Sequence, residues 1–144
     1  MFQDKVVVIT GGAGGIGKCI REEFEKAGAK VCIIDVADNP YFVGDVGDPE
    51  TLRRFADKVI ADHGRVDILI NNAGIMDDMS PIGDVTNEKI EQVFSVNVFG
   101  PMYAMRKAVQ VFLKQGEGGN IINVASLGAL RTVAGAVYNA SKAA

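Results

Sequence analysis

Val6-Val7-Val8-Ile9 runs without a polar residue into Thr10-Gly11-Gly12-Ala13-Gly14-Gly15-Ile16-Gly17, and a helical period begins at once beyond it. A continuous β-branched run marks a strand buried on both faces, which is the condition of a parallel sheet. Ile16, Ile20 and Phe24 then recur at helical spacing opposite Arg21, Glu22, Glu25 and Lys26, and Gly28 supplies a stop. Such a helix must pack back on the sheet and lead to a second parallel strand. Val31-Cys32-Ile33-Ile34, ending at Asp35, is that strand.

The alternation continues along the chain. Tyr41-Phe42-Val43 reads as a short third strand, and Asp48 as cap with Pro49 at the first helical position opens another helix. Leu52, Phe55, Val59 and Ile60 share one face of it, and His63 is its terminal residue before Gly64. Val66 to Ile70 is a fourth strand running into Asn71-Asn72-Ala73-Gly74. From Thr86 a long helical pattern reaches Phe112, with Pro101 inside it as an expected break or kink. Asn120 to Val124 is a fifth strand, and a last helix is expected from Ala134. The fold class predicted is α/β, a doubly wound parallel sheet forming one domain over residues 1–144. The last helix meets the chain end with no capping glycine and no complete apolar stripe, so the expectation is a domain incomplete at its C-terminus.

Composition narrows the function classes. A net charge of -3, with the charges scattered, gives no basic field for nucleic acid or anionic lipid. No apolar run is long enough to span a bilayer, and Met1 to Lys5 lacks the pattern of a secretion signal. The expectation is a cytoplasmic protein with neither nucleic-acid nor membrane partner. Cys19 and Cys32 show no CxxC spacing and are expected to be buried free thiols. His63, the single histidine, leaves no multi-histidine metal site, and no metal is expected.

Chemistry gathers at the predicted strand ends. A glycine turn between strand and helix lets the backbone approach a pyrophosphate and aim helix N-terminal N–H groups at it. Asp35, at the tip of the second strand, can accept both ribose hydroxyl protons of a dinucleotide and would repel a 2′-phosphate, so NAD is preferred over NADP. Lys18 reads as a solvated surface lysine. Gly12 to Cys19 also fits the triphosphate loop GxxxxGK[ST] except at its last position, where cysteine cannot replace the hydroxyl that ligates magnesium. Tyr138 and Lys142 stand four residues apart and share a helical face. A phenol exchanges protons at neutral pH only when its ionised form is stabilised, as a nearby ammonium does. Ser126 follows the fifth strand at the carboxyl edge of the sheet, where open α/β proteins bind ligands.

At these residues the chain, from Lys5 to its end, resembles the short-chain dehydrogenase/reductase family, whose Rossmann-type fold has seven strands. Thr10, Gly11, Gly15 and Gly17 resemble its TGxxxGxG loop, Asn71 to Gly74 its NNAG segment, and Asp45-Val46 the pair that meets the adenine ring. Asn97, Ser126, Tyr138 and Lys142 match its catalytic tetrad in order and spacing. The resemblance implies an oxidoreductase that interconverts an alcohol and a ketone or aldehyde. Its cofactor contacts would be Gly11, Gly15, Ile16, Gly17, Asp35, Asp45, Val46, Asn72, Ala73, Gly74, Tyr138 and Lys142. Tyr138 would exchange a proton with the substrate oxygen and Ser126 would hydrogen-bond it. Lys142 would hold the nicotinamide ribose, and Asn97 would position a water in the proton relay. A homodimer or homotetramer is implied as well.

Two features depart from the family. Asp35 and Asp45 stand so close in sequence that the usual helix between the second and third strands is missing. The sixth and seventh strands are also absent, so a non-catalytic dinucleotide-binding or interaction module is the alternative reading.

Overall fold

The computed structural model describes residues 1–144. Five strands, β1 (Val6–Thr10), β2 (Lys30–Asp35), β3 (Phe42–Val43), β4 (Ile68–Asn71) and β5 (Asn120–Asn123), form one sheet in the order β3-β2-β1-β4-β5. Every neighbouring pair is parallel. The helices are α1 (Gly15–Lys26), α2 (Pro49–His63), α3 (Asn87–Phe94), α4 (Gly100–Gln115) and α5 (Ala136–Ala143). The Rossmann-type doubly wound sheet expected from the strand and helix alternation is therefore present.

The two faces of the sheet follow from the two-residue period of a strand. Val6, Val8, Cys32, Ile34 and Leu69 point to one side, where Leu52, Phe55 and Val59 of α2 and Ala104, Ala108 and Phe112 of α4 cover them. Val7, Ile9, Ile33, Ile68 and Ile70 point to the other, under Ile20 and Phe24 of α1. Burial on both faces explains why β1, β2 and β4 contain unbroken apolar runs. Edge strand β5 differs, with Ile122 47% exposed.

The β2 to β3 connection holds only residues 36–41, whereas parallel pairs ordinarily require a crossover of about a dozen residues. It works here because β3 is two residues long and pairs only with Ile34 and Asp35 at the end of β2. Asn39 makes the reversal. Its Nδ2 donates to the Ala37 and Phe42 carbonyls, and its Oδ1 accepts from the Tyr41 and Phe42 amides, so the whole amide group is spent on the turn. Tyr41 and Phe42 then pack edge-on against Phe55.

Three expectations change. Cys32 is buried, but Cys19 is exposed, because its position on α1 faces away from the sheet. Ile16 is 67% exposed rather than part of the packed face of α1, since the first turn of that helix projects beyond the sheet edge. The long helical pattern is interrupted before Pro101, not at it: Ser95–Phe99 form a π turn between α3 and α4, and Pro101 sits in the first turn of α4, where its missing N–H is tolerated. No helix is long and apolar enough to cross a membrane.

The opposite sheet edge is closed by charge. Asp67, 8% exposed, accepts a fork from Arg65 at 2.7 and 3.1 Å, the Val6 N–H at 2.9 Å and the Lys5 ammonium at 3.4 Å. Burial pushes this carboxyl up, but the Arg65 and Val6 hydrogen bonds with the Arg65 and Lys5 charges outweigh it and hold the group below its ordinary value. A depressed folded value contributes stability that is complete above the unfolded carboxylate pKa of about 3.9 and disappears as pH falls through the folded value. Asp67→Asn is therefore expected to lower stability by about 2 kcal/mol at pH 7 and by less at pH 3. Urea unfolding at the two pH values measures this, and equal midpoints for both proteins at pH 7 would contradict it.

Candidate active site

The glycine turn is shaped by its neighbours before any ligand is considered. Gly11 has φ 69°, and a Cβ there would lie 2.9 Å from Ala73 Cα. A Cβ on Gly17 would collide with the Gly11 carbonyl oxygen and lie 2.6 Å from Asn72 Nδ2. These close approaches bring β1, α1 and the segment after β4 together. Thr10 Oγ1 accepts from the Asn72 and Ala73 amides, both at 3.0 Å, and Asn72 Nδ2 donates to the Thr10 and Gly11 carbonyls at 3.2 and 3.1 Å. The Asn72-Ala73-Gly74 segment is thus fastened to the turn.

A cleft of about 580 Å³ opens at the carboxyl edge of the sheet, with Gly11, Gly14, Asp35, Val46 and Gly74 in its walls. Ile16, exposed from the turn, also faces it. At one end lies the N-terminus of α1, with no side-chain cap and no acidic residue in its first turn. Its orphan N–H groups and positive dipole end suit an anion. Asp35 sits beside the turn, one oxygen accepting from Ala13 N–H and the other from Ala37 N–H, each at 3.0 Å. Each carboxylate oxygen retains acceptor capacity toward the cleft. Asp45 folds onto the Gly47 amide at 2.8 Å, and the largely buried Val46 beside it lines the cleft.

Tyr138 and Lys142 of α5 lie beyond the residues that line this cleft. Lys142 Nζ lies 5.9 Å from the centre of the Tyr138 ring. A Cβ on Gly74 would be 3.1 Å from that ammonium, so the lysine reaches the cleft wall at Gly74. Ser126 Oγ accepts from the Gly128 amide at 3.1 Å, and a Cβ on Gly128 would meet the Tyr138 ring edge at 3.1 Å. Ser126 and Tyr138 thus share one small neighbour.

Asn97, in the π turn and 8% exposed, differs from the other three members of the set. Its Oδ1 accepts from Ile75 N–H at 2.8 Å, and its Nδ2 donates to Ile75 O at 2.9 Å and Ser141 Oγ at 3.0 Å. The side chain is consumed in tying the segment after β4 to α5. Its backbone carbonyl is another matter: the α-helical donor to it would be the N–H of residue 101, and Pro101 has none.

Two residues at this site escaped the reading of motifs. Ser141 is buried, receives the Asn97 amide and donates to the Tyr138 carbonyl at 2.7 Å. Its spacing of three from Tyr138 was the available signal. Asp77 accepts from Gly135 and Tyr138 N–H groups across about sixty positions of sequence, for which no local signal exists.

Known proteins resemble this chain in sequence and in fold. The family model described as short chain dehydrogenase matches residues 5–144. A 3beta-hydroxysteroid dehydrogenase of Eggerthella lenta is 37% identical over 155 residues, which take in 96% of this chain and 60% of that protein. Galactitol 2-dehydrogenase of Agrobacterium fabrum is 38% identical over 157 residues, covering 99% of this chain and 61% of that protein. The chain thus spans about three fifths of the length of these relatives. Both alignments are longer than the 144-residue chain, so the relatives carry insertions relative to it. Among solved structures, a 3-ketoacyl-(acyl-carrier-protein) reductase from Brucella melitensis in complex with NADH superposes with a TM-score of 0.90 at 31% identity, covering 99% of this chain and 66% of that one. Aldohexose dehydrogenase of Thermoplasma acidophilum superposes with a TM-score of 0.89 at 29% identity, covering 99% and 57%. From the glycine turn to the tyrosine helix, sequence match and geometry agree, and the chain belongs to the short-chain dehydrogenase family.

Proposed function

We propose that the protein is an NAD-dependent oxidoreductase that interconverts an alcohol and a ketone or aldehyde, with Tyr138 as general acid and base. The observation that carries this reading is the approach of the Lys142 ammonium, on the same helix as Tyr138, to Gly74 in the wall of a cleft that also takes in the turn at the uncapped N-terminus of α1. The donor set and the Cβ-free cradle at Gly11 and Gly17 fit a dinucleotide. Gly11, Gly15, Ile16 and Gly17 would take its diphosphate, Asp35 its adenosine ribose and Asp45-Val46 its adenine. Asn72, Ala73, Gly74, Tyr138 and Lys142 would take the nicotinamide half. A nicotinamide dinucleotide supplies the hydride acceptor or donor when bound.

The chain's own residues handle the proton. In the oxidative direction the Tyr138 phenolate takes the hydroxyl proton of the alcohol, and in reduction the phenol returns one to the carbonyl oxygen. Lys142 holds the nicotinamide ribose beside the tyrosine, and Ser126 donates a hydrogen bond to the same substrate oxygen. Asn97 acts through its carbonyl, which can hold a water to carry the proton outward. Phe99 just before α4, with Met102, Val109 and Leu113 on it, leave apolar side chains exposed, which supports a homodimer or homotetramer. A cytoplasmic location completes the reading.

Calorimetric titration with NAD beside an absorbance assay with secondary alcohols and ketones tests it. Binding with turnover is expected; binding without turnover on any substrate would favour a non-catalytic module, and no binding would overturn the reading. Coenzyme choice has its own test. Asp35→Asn removes the charge that repels a 2′-phosphate, and is expected to shrink the preference for NAD over NADP about tenfold, or about 1.4 kcal/mol. An unchanged ratio of the two dissociation constants would show that Asp35 does not set the choice.

A further inference from the structure

Helix α5 begins with no cap of its own. Gly135 occupies the N-cap position, and no nearby side chain closes the first turn. The acceptor comes from Asp77, in the loop after β4. Its Oδ2 accepts the Tyr138 N–H at 2.8 Å, and its Oδ1 accepts the Gly135 N–H at 3.2 Å. Oδ1 also accepts from Met79 N–H at 3.2 Å, which wraps the loop around the carboxylate. Two backbone features show what this arrangement demands. A Cβ on Gly135 would collide with both Asp77 oxygens, so the absent side chain is what admits the carboxylate to the helix end. Met79 is held at φ 59°, a left-handed conformation that is strained for a side chain of its kind.

We propose that Asp77 is a positioning residue for Tyr138, anchoring the first turn of α5 to the segment that lines the cleft. The amide it holds is that of the tyrosine itself, and a carboxylate at a helix N-terminus is favoured by the helix dipole. The same loop reaches α5 a second time through Ile75, Asn97 and Ser141, one turn further along the helix. Two anchors from one loop fix both the position and the tilt of the turn carrying the phenol. With the Asn97 link alone, the helix start can swing about Ser141, and the phenol moves relative to Lys142, Ser126 and the cleft. The inference rests on the role given to Tyr138 above for its catalytic consequence, but the anchoring itself is readable without any cofactor.

Two measurements on Asp77→Ala and Asp77→Asn separate these levels. The first is amide hydrogen exchange over residues 135–141 in the free chain, where Asp77→Ala is expected to speed exchange at Tyr138 about tenfold with the sheet unaffected. The second is steady-state kinetics with NAD and an alcohol, where Asp77→Ala is expected to lower kcat about ten- to a hundredfold while the KM for NAD stays nearly constant. Asp77→Asn keeps one acceptor for the Tyr138 amide and is expected to restore most of both. Gly135→Ala, which bars the carboxylate from the helix end while leaving Asp77 intact, should reproduce the loss and serves if Asp77→Ala does not fold. Unaltered exchange at Tyr138 in Asp77→Ala, or a kcat loss that Asp77→Asn fails to lessen, would overturn the proposal. If the unsubstituted protein shows no turnover, the oxidoreductase reading fails and the exchange measurement alone decides the anchoring.

Discussion

Tyr138→Phe is expected to reduce kcat by about a thousandfold while NAD affinity and thermal stability stay close to those of the unsubstituted protein. The substitution removes one hydroxyl and leaves the ring. Its edge still packs on Gly128, its face remains available to the Lys142 ammonium, and its amide still meets Asp77. What disappears is the group that moves the proton to or from the substrate oxygen. The remaining rate would come from Ser126 and from binding alone, which catalyse without proton transfer. Steady-state kinetics over a range of alcohol concentrations, with NAD binding followed by calorimetry, gives the comparison. A phenylalanine variant that retains more than about a tenth of the rate would place the proton transfer elsewhere.

Gly17→Ala has the second large effect, and it separates the shape of the turn from its composition. The new methyl would strike the Gly11 carbonyl oxygen, a backbone atom that accepts from Asn72 Nδ2 at 3.1 Å and cannot swing aside as a side-chain end could. Either the turn opens or α1 withdraws from the sheet, at about 3 kcal/mol of stability. NAD affinity is expected to fall by about a hundredfold or more, because the helix amides no longer face the position the turn had prepared. Gly14→Ala is the control within the same loop. Gly14 has φ −151°, open to any residue, and nothing stands within 4 Å of its added Cβ. Its stability is expected to change by less than about 0.5 kcal/mol. Equal losses in the two variants would mean that glycine content, and not the approach of Gly17 to Gly11, governs the turn.

Much of this architecture is legible along the chain. Unbroken β-branched runs announced strands covered on both sides, and Asp48 with Pro49 announced the start of α2. There the carboxylate does accept from the amides of Glu50 and Thr51. Strand and helix alternation led to a parallel sheet with its ligand edge at Thr10, Asp35 and Asn71, and those strand ends do flank the cleft or its floor. The four-residue spacing of Tyr138 and Lys142 placed both on one side of a helix. Where the reading went astray, a local pattern had been extended past the element that supports it. Ile16 carried the right period for the buried side of α1, yet the sheet ends before reaching it. Pro101 reads along the sequence as a break or kink, whereas the helix absorbs it in the first turn of α4 after a π turn upstream.

The divide follows from the range of the forces involved. Helix periods, caps, turns and buried runs depend on neighbours within a few positions, so they can be read along the chain. The union of Thr10 with Asn72 and Ala73, of Asn97 with Ile75 and Ser141, and of Asp77 with Gly135 and Tyr138 joins residues 22 to 63 positions apart. Those hydrogen bonds have no period and no required spacing, because their partners meet only after the sheet has set the path of each loop. Residue types and order thus specified a cleft with a phenol and an ammonium near it, while packing across the sheet edge selected the groups that hold the phenol in place.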